Sequence, residues 1–360
     1  MSTSDTELLD IAGLRTQFLA DGGTVKAVDG VNLRVHPGQT LCIVGESGCG
    51  KSVTARSILR LVDPPGRVVD GQVALHRRPV EDPTGEPVET VDLAALDPYG
   101  QAIRGIRGRD IAMIFQEPLT SLSLVHTVGD QIVEAIRIHT DVAKDEARRQ
   151  AIELLHTVGI PDPARRIDAY PFQLSGGMRQ RVMIAMALSC DPSLLIADEP
   201  TTAVDVTTQA QIMDLLGRLQ RERGMAIMFI THDMGVVAQM ADDVAVMYLG
   251  NVVEKGPVDD IFYDPKHPYT RALLASIPRI GQGRKRRLES IRGLVPPPSQ
   301  RPPGCPFHPR CDHAMEGHCD TDTPMPLRLN GAREVTCFLY DQAETVSIAG
   351  NDPAGGSHND

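Results

Sequence analysis

Positive charge is in deficit in this chain: 36 Lys and Arg stand against 47 Asp and Glu, a formal net charge of −11 over 360 residues. That balance opposes nonspecific binding to nucleic acid or anionic lipid, because both depend on Lys and Arg to neutralise phosphate. One run, Arg284, Lys285, Arg286 and Arg287, departs from it and reads as a solvated linker, with membrane-surface contact as the alternative. Long apolar runs are missing too. No stretch approaches the roughly 20 apolar residues that cross a bilayer, and the opening MSTSDTELLD has neither the positive nor the apolar region of a signal peptide. The chain is therefore expected in the cytosol, with membrane contact made only through partners. Long heptads are absent, which excludes an extended coiled coil.

What is present suits a folded protein. The length and a 41% hydrophobic content fit one large domain with a substantial core plus an appendage. Residues 25–35, VKAVDGVNLRV, alternate apolar and polar side chains, as antiparallel strands with one wet face do. TLCIVG then reads as a buried strand, and SVTARSILRLV places apolar residues on one side of a helix. A polar, Pro-rich insertion is expected at 77–109, and IAMIFQEP follows it with an apolar run ending at Gln116. Ala143, Ala147, Ala151, Leu154, Leu155 and Gly159 recur at helical spacing, so 118–190 reads as a mainly helical arm. LLIAD at 194–198 and AIMFIT at 226–231 are core strands with a helix from about 207 to 222 between them, an order that implies a parallel, doubly covered sheet. A hairpin over 244–256 is expected to turn at Gly250 and Asn251.

GESGCGKS at 45–52 sits between the predicted strand and helix, the context a phosphate-binding loop requires. Gly45, Gly48 and Gly50 let the backbone approach phosphate oxygens, and the N–H groups of Ser47 to Ser52 converge at a helix N-terminus, where negative charge is favoured. Lys51 reaches the β- and γ-phosphates, Ser52 offers Mg²⁺ a hydroxyl ligand, and Val53 completes the nucleotide-binding set. Cys49 inside the loop reads as a small filler, with a redox role as the alternative. Asp198, after four apolar residues, brings a carboxylate to the end of a core strand for the metal. Glu199 beside it is then free to orient the attacking water. An adenine-stacking aromatic is not evident, since aromatics are 4% of the chain; Phe18 lies near the right stretch, but GGTV intervenes.

Residues 174–181, LSGGMRQR, lie between that loop and LLIADEP. Together the three motifs resemble ATP-binding cassette (ABC) proteins, which hold ATP between two cassettes joined head to tail. The resemblance implies a P-loop ABC-type ATPase of the α/β class: a parallel core sheet, an antiparallel β subdomain and a helical subdomain. It assigns His232 to γ-phosphate contact and water positioning, and Gln116 to Mg²⁺ and water at the hinge of the arm. Asp205 falls in the loop that crosses to the other subunit. Ser175 and Gly177 are assigned to cap the γ-phosphate bound by a partner, which makes ATP the glue between subunits.

GESGCGKS, the FQEP run, PKHPYTRALLASIP and the late cysteines resemble, over residues 8 to about 340, the ATP-binding subunits of dipeptide and oligopeptide importers, in some cases nickel importers. Two places depart from that pattern: SLSL at 121–124 stands for SLNP, and Phe172 and Gln173 replace a His and an acidic residue. Partner contact is expected to differ there in detail, and ATP chemistry is not. The implied partners are two membrane-spanning permease subunits, a sister ATP-binding subunit and an extracytoplasmic substrate-binding protein, with coupling near 117–140 and the chain peripheral on the cytoplasmic face of the membrane. The expected division is a cassette over 1–265, an importer-type C-terminal extension over 266–344, and a disordered end at 345–360.

Four of the seven cysteines crowd that extension: Cys305, Cys311, Cys319 and Cys337, separated by five, seven and seventeen residues. Four thiols so close in a cytosolic chain argue for metal over disulfides, and the spacing is not that of a CxxC ribbon. The family resemblance implies a four-iron, four-sulfur cluster, which Cys₄ ligation suits. Zinc, with His308, His313 or His318 joining, and a metal-free tail are the alternatives. A soluble ABC ATPase acting on nucleic acid or ribosomes is the rival function, set against one signature motif, an acidic balance and no coiled coil. A redox-sensing regulator is a third reading and rests on the tail alone.

Overall fold

The computed structural model describes residues 7–20, 23–77, 89–116, 121–202, 204–277 and 291–341. The basic run 284–287, residues 117–120 of the coupling stretch and the expected disordered end at 345–360 lie outside the described residues.

Strands β1 (Leu9–Ala20) and β2 (Gly23–Val35) pair antiparallel, with Phe18 opposite Val25. Alternation holds in the second half of β2, where Val31, Leu33 and Val35 are buried and Asn32 and Arg34 exposed; Val28 is buried out of that phase, where the pairing with β1 is irregular. β3 (Thr40–Val44) is buried at all five positions and leads into the phosphate-binding loop and helix α1 (Lys51–Ile58). This helix stops earlier than its apolar pattern suggests, because Arg60 takes a left-handed φ of 55°. β4 (Gly66–Arg77) and β5 (Glu89–Asp92) return to the first sheet, giving the order β2-β1-β4-β5. The expected insertion at 77–109 is therefore partly regular structure within its described part. It contributes β5 and α2 (Gln101–Ile106), whose Ile103 and Ile106 are buried against the first sheet and α1.

β6 (Ile111–Ile114) opens the second sheet, and the chain then leaves for the arm. There α3 (Val128–His139), α4 (Lys144–Thr157), α5 (Pro163–Arg166) and α6 (Gly176–Ala187) pack together. In α4 the predicted stripe is buried at Ala147, Ala151, Leu154 and Leu155; Ala143 is the N-cap and Gly159, at φ 76°, lies beyond the end. β7 (Leu194–Asp198), α7 (Val206–Arg223), β8 (Ala226–Thr231) and α8 (Met234–Met240) follow. β9 (Asp243–Tyr248) and β10 (Asn251–Pro257) form the expected hairpin. Its turn falls one residue early, on Leu249 and Gly250, both at positive φ.

After α9 (Val258–Tyr263) and α10 (Pro268–Ala275), two short strands, β11 (Leu327–Arg328) and β12 (Glu334–Val335), complete an eight-stranded sheet ordered β11-β12-β10-β9-β3-β8-β7-β6. The four strands β6, β7, β8 and β3, with β9, are parallel; β10, β12 and β11 are antiparallel. Alternate residues of the parallel strands enter different cores, as a period of two demands. Ile43, Ile196, Met228 and Met247 face α1 and the first sheet, whereas Cys42, Leu195, Phe229 and Val246 face the arm helices and α7.

The C-terminal extension is bonded into this framework. β12 extends the sheet at β10, and Arg333 makes a buried ion pair with Glu254 at 3.1 Å, the two side chains being 6% and 0% exposed. Glu254 also accepts the backbone N–H groups of Lys266 (2.7 Å) and His267 (2.8 Å), so its charge has three donors.

Candidate functional site

The parallel order brings the loop after β3 and the ends of β6, β7 and β8 to one edge, where the residues singled out in the sequence meet. Gly45 and Gly50 are required by close approach: a Cβ on either would come within 2.3 Å of a carbonyl oxygen, of Met247 or Ala27 respectively, and their φ values are 152° and 103°. Gly50 caps α1 without a side-chain hydrogen bond, which leaves the first N–H groups of the helix directed at the loop. The Lys51 ammonium, 5% exposed as a residue, donates to the carbonyls of Gly45 (2.8 Å) and Glu46 (3.2 Å). Cys49 is buried behind the loop, and burial raises its thiol pKa, which fits the filler reading.

Ser52 donates its hydroxyl to Asp198 Oδ1 at 2.8 Å. Asp198 is 1% exposed, and burial pushes its carboxyl above the usual range, opposed by the Ser52 hydrogen bond. Glu199 follows in a left-handed conformation, φ 47°, rare for a side chain of this size and held by its N–H bonding to Ile230 O at 2.9 Å. Its Oε2 accepts from Gln116 Nε2 and Thr202 Oγ1, each at 3.0 Å, while His232 Nδ1 stands 3.4 Å from Oε1. Thus Gln116, Glu199 and His232, separated by up to 116 positions in sequence, form one connected group, and Asp198, the residue before Glu199, is bonded to Ser52 beside it. Ser52, Asp198 and Gln116 are oxygen donors of the kind a hard cation such as Mg²⁺ takes.

A cavity of about 320 Å³ opens onto the phosphate-binding loop, Gln116 and Glu199. Ser47, Gly48, Gly50, Lys51, Ser52, Val53, Gln116 and Glu199 line it, whereas Gly45, Cys49, Asp198 and His232 are not among its lining residues. Phe18, Val25, Leu249, Pro298 and Arg301 line it as well. Phe18 reaches the cavity because β1 pairs with β2 with Phe18 opposite Val25, so Gly23, Thr24 and Val25 are strand residues beside the ring rather than an interruption that displaces it. Pro298 and Arg301 come from PPPSQRPPG, a stretch with no periodicity to mark it. Arg301 donates to Leu249 O at 3.1 Å and pairs with Asp29 at 3.2 Å.

Ser175, Gly177 and Asp205 are not among the residues lining this cavity. Ser175 caps α6, accepting from Met178 N at 3.3 Å; Asp205 caps α7, accepting from Thr208 N at 3.0 Å and Thr208 Oγ1 at 2.7 Å. The Thr208 bonds hold the Asp205 carboxyl below its usual range. A Cβ on Gly177 would meet Thr208 at 3.0 Å, so the two helix starts lie side by side.

The four tail thiols are free and line one small cavity with Phe307, Met315, Phe338 and Leu339. Burial raises the pKa of Cys305, Cys311 and Cys337, the last to about 12, so each is a neutral thiol unless a metal displaces its proton. N–H groups of His313 and Met315 approach Cys311 Sγ and Cys319 Sγ at 3.4 Å. Among the described residues no group of three or more His, Cys, Asp or Glu side chains is arranged to hold a metal ion. The thiols share a cavity without converging on a point, so the expected cluster has its donor set but not a closed ligand cage.

Comparison with known proteins bears on both halves. The model of a family described as "ABC transporter" matches residues 28–202, and one described as "Oligopeptide/dipeptide transporter, C-terminal region" matches 253–319. The chain is 46% identical to the dipeptide transport ATP-binding protein DppD of Bacillus subtilis, covering 96% of this chain and 98% of that one. It is 48% identical to DppD of Haemophilus influenzae over 95% and 99% of the two chains, and 47% identical to the oligopeptide transport ATP-binding protein AppD of Bacillus subtilis over 93% and 97%. Among solved structures, the cassette MJ0796, as a dimer in a post-hydrolysis state bound to ADP and Pi, aligns at TM-score 0.59 with 26% identity over 69% of this chain and 98% of that one. CbiO1 of Clostridium perfringens aligns at TM-score 0.55 with 26% identity over 72% and 91%.

Proposed function

The chain belongs to the family of ATP-binding subunits of dipeptide- and oligopeptide-importing ABC transporters, and from that premise we propose how its residues do the work. It hydrolyses ATP to power peptide import. Among the described residues no helix is long and apolar enough to cross a membrane, so the peptide's passage falls to permease partners. A substrate-binding protein outside the membrane delivers the peptide, and this chain sits on the cytoplasmic face.

ATP binds with its phosphates against the loop at 45–52 and its adenosine toward Phe18 and Val25. Lys51 leaves its two carbonyl partners for the β- and γ-phosphates. Bound Mg²⁺ would be held by Ser52, Asp198 and Gln116 and would supply charge neutralisation at the phosphate oxygens. Glu199, held by Gln116 and Thr202, orients the attacking water and accepts its proton, and His232 completes the far side. The observation that carries the two-subunit reading is that Ser175, the cap of α6, and Gly177 in its first turn neither line the cavity of their own chain nor bond, among the described residues, to one that does, as Asp198 and His232 do through Ser52 and Glu199. They act on the ATP of a sister cassette, so the chemistry needs a head-to-tail pair.

Exposed apolar side chains on the arm, Val125 and Phe172, support permease contact there; Phe172 stacks on Tyr170 at 5.5 Å. A four-iron, four-sulfur cluster among Cys305, Cys311, Cys319 and Cys337 is part of the proposal, supported by four thiols lining one cavity and by the N–H groups near two sulfurs; His308 and His313 line the same cavity and are the donors zinc would add. Its role is to staple the extension. Two measurements test the reading. The chain should sediment with membranes only when permeases are co-produced, and peptide uptake into vesicles should require hydrolysable ATP; uptake driven equally by a non-hydrolysable analogue would sink it. Protein purified without oxygen should carry about four irons and four sulfides per chain; zinc or no metal would withdraw the cluster alone.

A further inference from the structure

Glu46, the second residue of GESGCGKS, does not line the nucleotide cavity. Its carboxylate turns away from the phosphates and meets Arg310 of the C-terminal extension. Arg310 Nη1 donates to Oε2 at 2.7 Å and Nη2 to Oε1 at 3.1 Å, the two-bond geometry that fixes both position and angle. The Arg310 side chain is 4% exposed and is itself held: Nε donates to Arg292 O at 2.8 Å, and the guanidinium lies over the Tyr248 and Phe307 rings at 5.8 and 5.9 Å. The backbone of Glu46 is tied from the same side, its N–H donating to Tyr269 Oη at 2.8 Å. Its carbonyl accepts from Lys51 Nζ at 3.2 Å and from Cys49 N at 3.3 Å. One residue therefore links the extension to the lysine that must reach the phosphates.

We propose that Arg310 is a positioning residue for nucleotide binding, setting the shape of the phosphate loop through Glu46. This rests on the ATPase reading above and names a regulation of that site. Arg310 ends a short helical turn, His308–Arg310, in which His308 N bonds Cys305 O at 3.0 Å and Cys311 N bonds His308 O at 3.2 Å. A change at the thiols reaches the loop through this turn. A tail that merely docked on the cassette would, when loosened, lower the folded fraction and hence kcat, without moving KM.

The test uses the full-length parent, Glu46→Gln, Arg310→Lys and the double variant, measuring ADP binding by each chain alone and ATP hydrolysis by each assembled with its sister cassette and permeases. Glu46→Gln keeps the side-chain volume at a partly exposed position, so folding is retained even if Arg310 variants are unstable. Each single change should raise KM for ATP and Kd for ADP about five- to tenfold, with kcat altered less than about twofold. The double variant should be no worse than the poorer single one, because both remove one contact. Cys311→Ser should weaken ADP binding in the parent and have no further effect in Glu46→Gln. Unchanged KM and Kd in folded Glu46→Gln, or effects that simply add, would overturn the inference. A parent that binds ADP but never hydrolyses ATP even when assembled with its sister cassette and permeases would instead overturn the ATPase reading, and the binding data would still decide this one.

Discussion

Glu199→Gln separates binding from chemistry in this site more cleanly than any other single change. The carboxylate makes its two neutral hydrogen bonds through one oxygen, Oε2, with Gln116 and Thr202 donating. A glutamine can present its amide oxygen there and keep both. What it loses is the negative charge and the acceptor at Oε1, the atom nearest His232 at 3.4 Å. Ser52, Asp198 and Lys51 are untouched, so Mg²⁺ and ATP affinity should hold or tighten slightly as a negative charge leaves the cavity. Removing a positioned general base costs about 10²–10⁴ in rate, which corresponds to roughly 3–5 kcal/mol of barrier. Phosphate release should fall by that factor while ATP binding stays within about twofold, and ATP retained by the variant should hold a dimer that sediments ahead of the parent. Turnover within about tenfold of the parent would remove Glu199 from the mechanism and leave its strained backbone without a role.

Other expectations follow from single contacts. Arg333→Met leaves Glu254 fully buried with two N–H donors and no counter-charge, a loss of about 3–5 kcal/mol; urea unfolding should show it, and a loss below about 1 kcal/mol would mean that water reaches the site. Ser175→Ala, outside its own cavity, should leave nucleotide affinity of the single chain within about twofold while hydrolysis by the assembled complex drops at least about tenfold; a matching loss of affinity in the single chain would show that the residue serves its own nucleotide. His267 is depressed to about 3 by burial, against about 6.5 when unfolded. The unfolded chain therefore binds a proton that the folded chain does not, and stability present above pH 6.5 is lost on acidification, by about 2 kcal/mol at pH 5. His267→Asn, which can still cap α10 in place of the ring nitrogen that accepts Tyr269 N–H at 3.0 Å, should flatten that slope by one proton; an unchanged slope between pH 6.5 and 5 would assign the acid lability elsewhere.

Much of this was legible because the signals are local. Gly45 and Gly50 sit where backbone must pass close to other atoms, LLIAD and AIMFIT are buried at every position and apolar up to their last residue because both faces of their sheet are covered, and Asp198 and Glu199 are polar where such a strand ends. Residues whose position depends on strand pairing or on chain returning from far away left little trace. Phe18 reaches the nucleotide cavity only because β1 folds back on β2, and Arg301 arrives there from a Pro-rich stretch that alone reads as linker. The insertion at 77–109 shows no strand in its composition for the same reason: β5 is a strand by pairing with β4, not by its own ETVD.

The sequence by itself determined the groups available to this protein: a glycine-rich loop with Lys51 and Ser52, the carboxylates Asp198 and Glu199 at a strand end, and LSGGMRQR before them, each fixed by residue types at short spacing. Only the tertiary structure decided which of them share a cavity. It joined Gln116, Glu199 and His232, left Ser175 and Gly177 outside, and laid Arg310 against Glu46. Those relations are set by a parallel sheet whose neighbouring strands are distant in sequence, and short-range pattern carries no record of such neighbours.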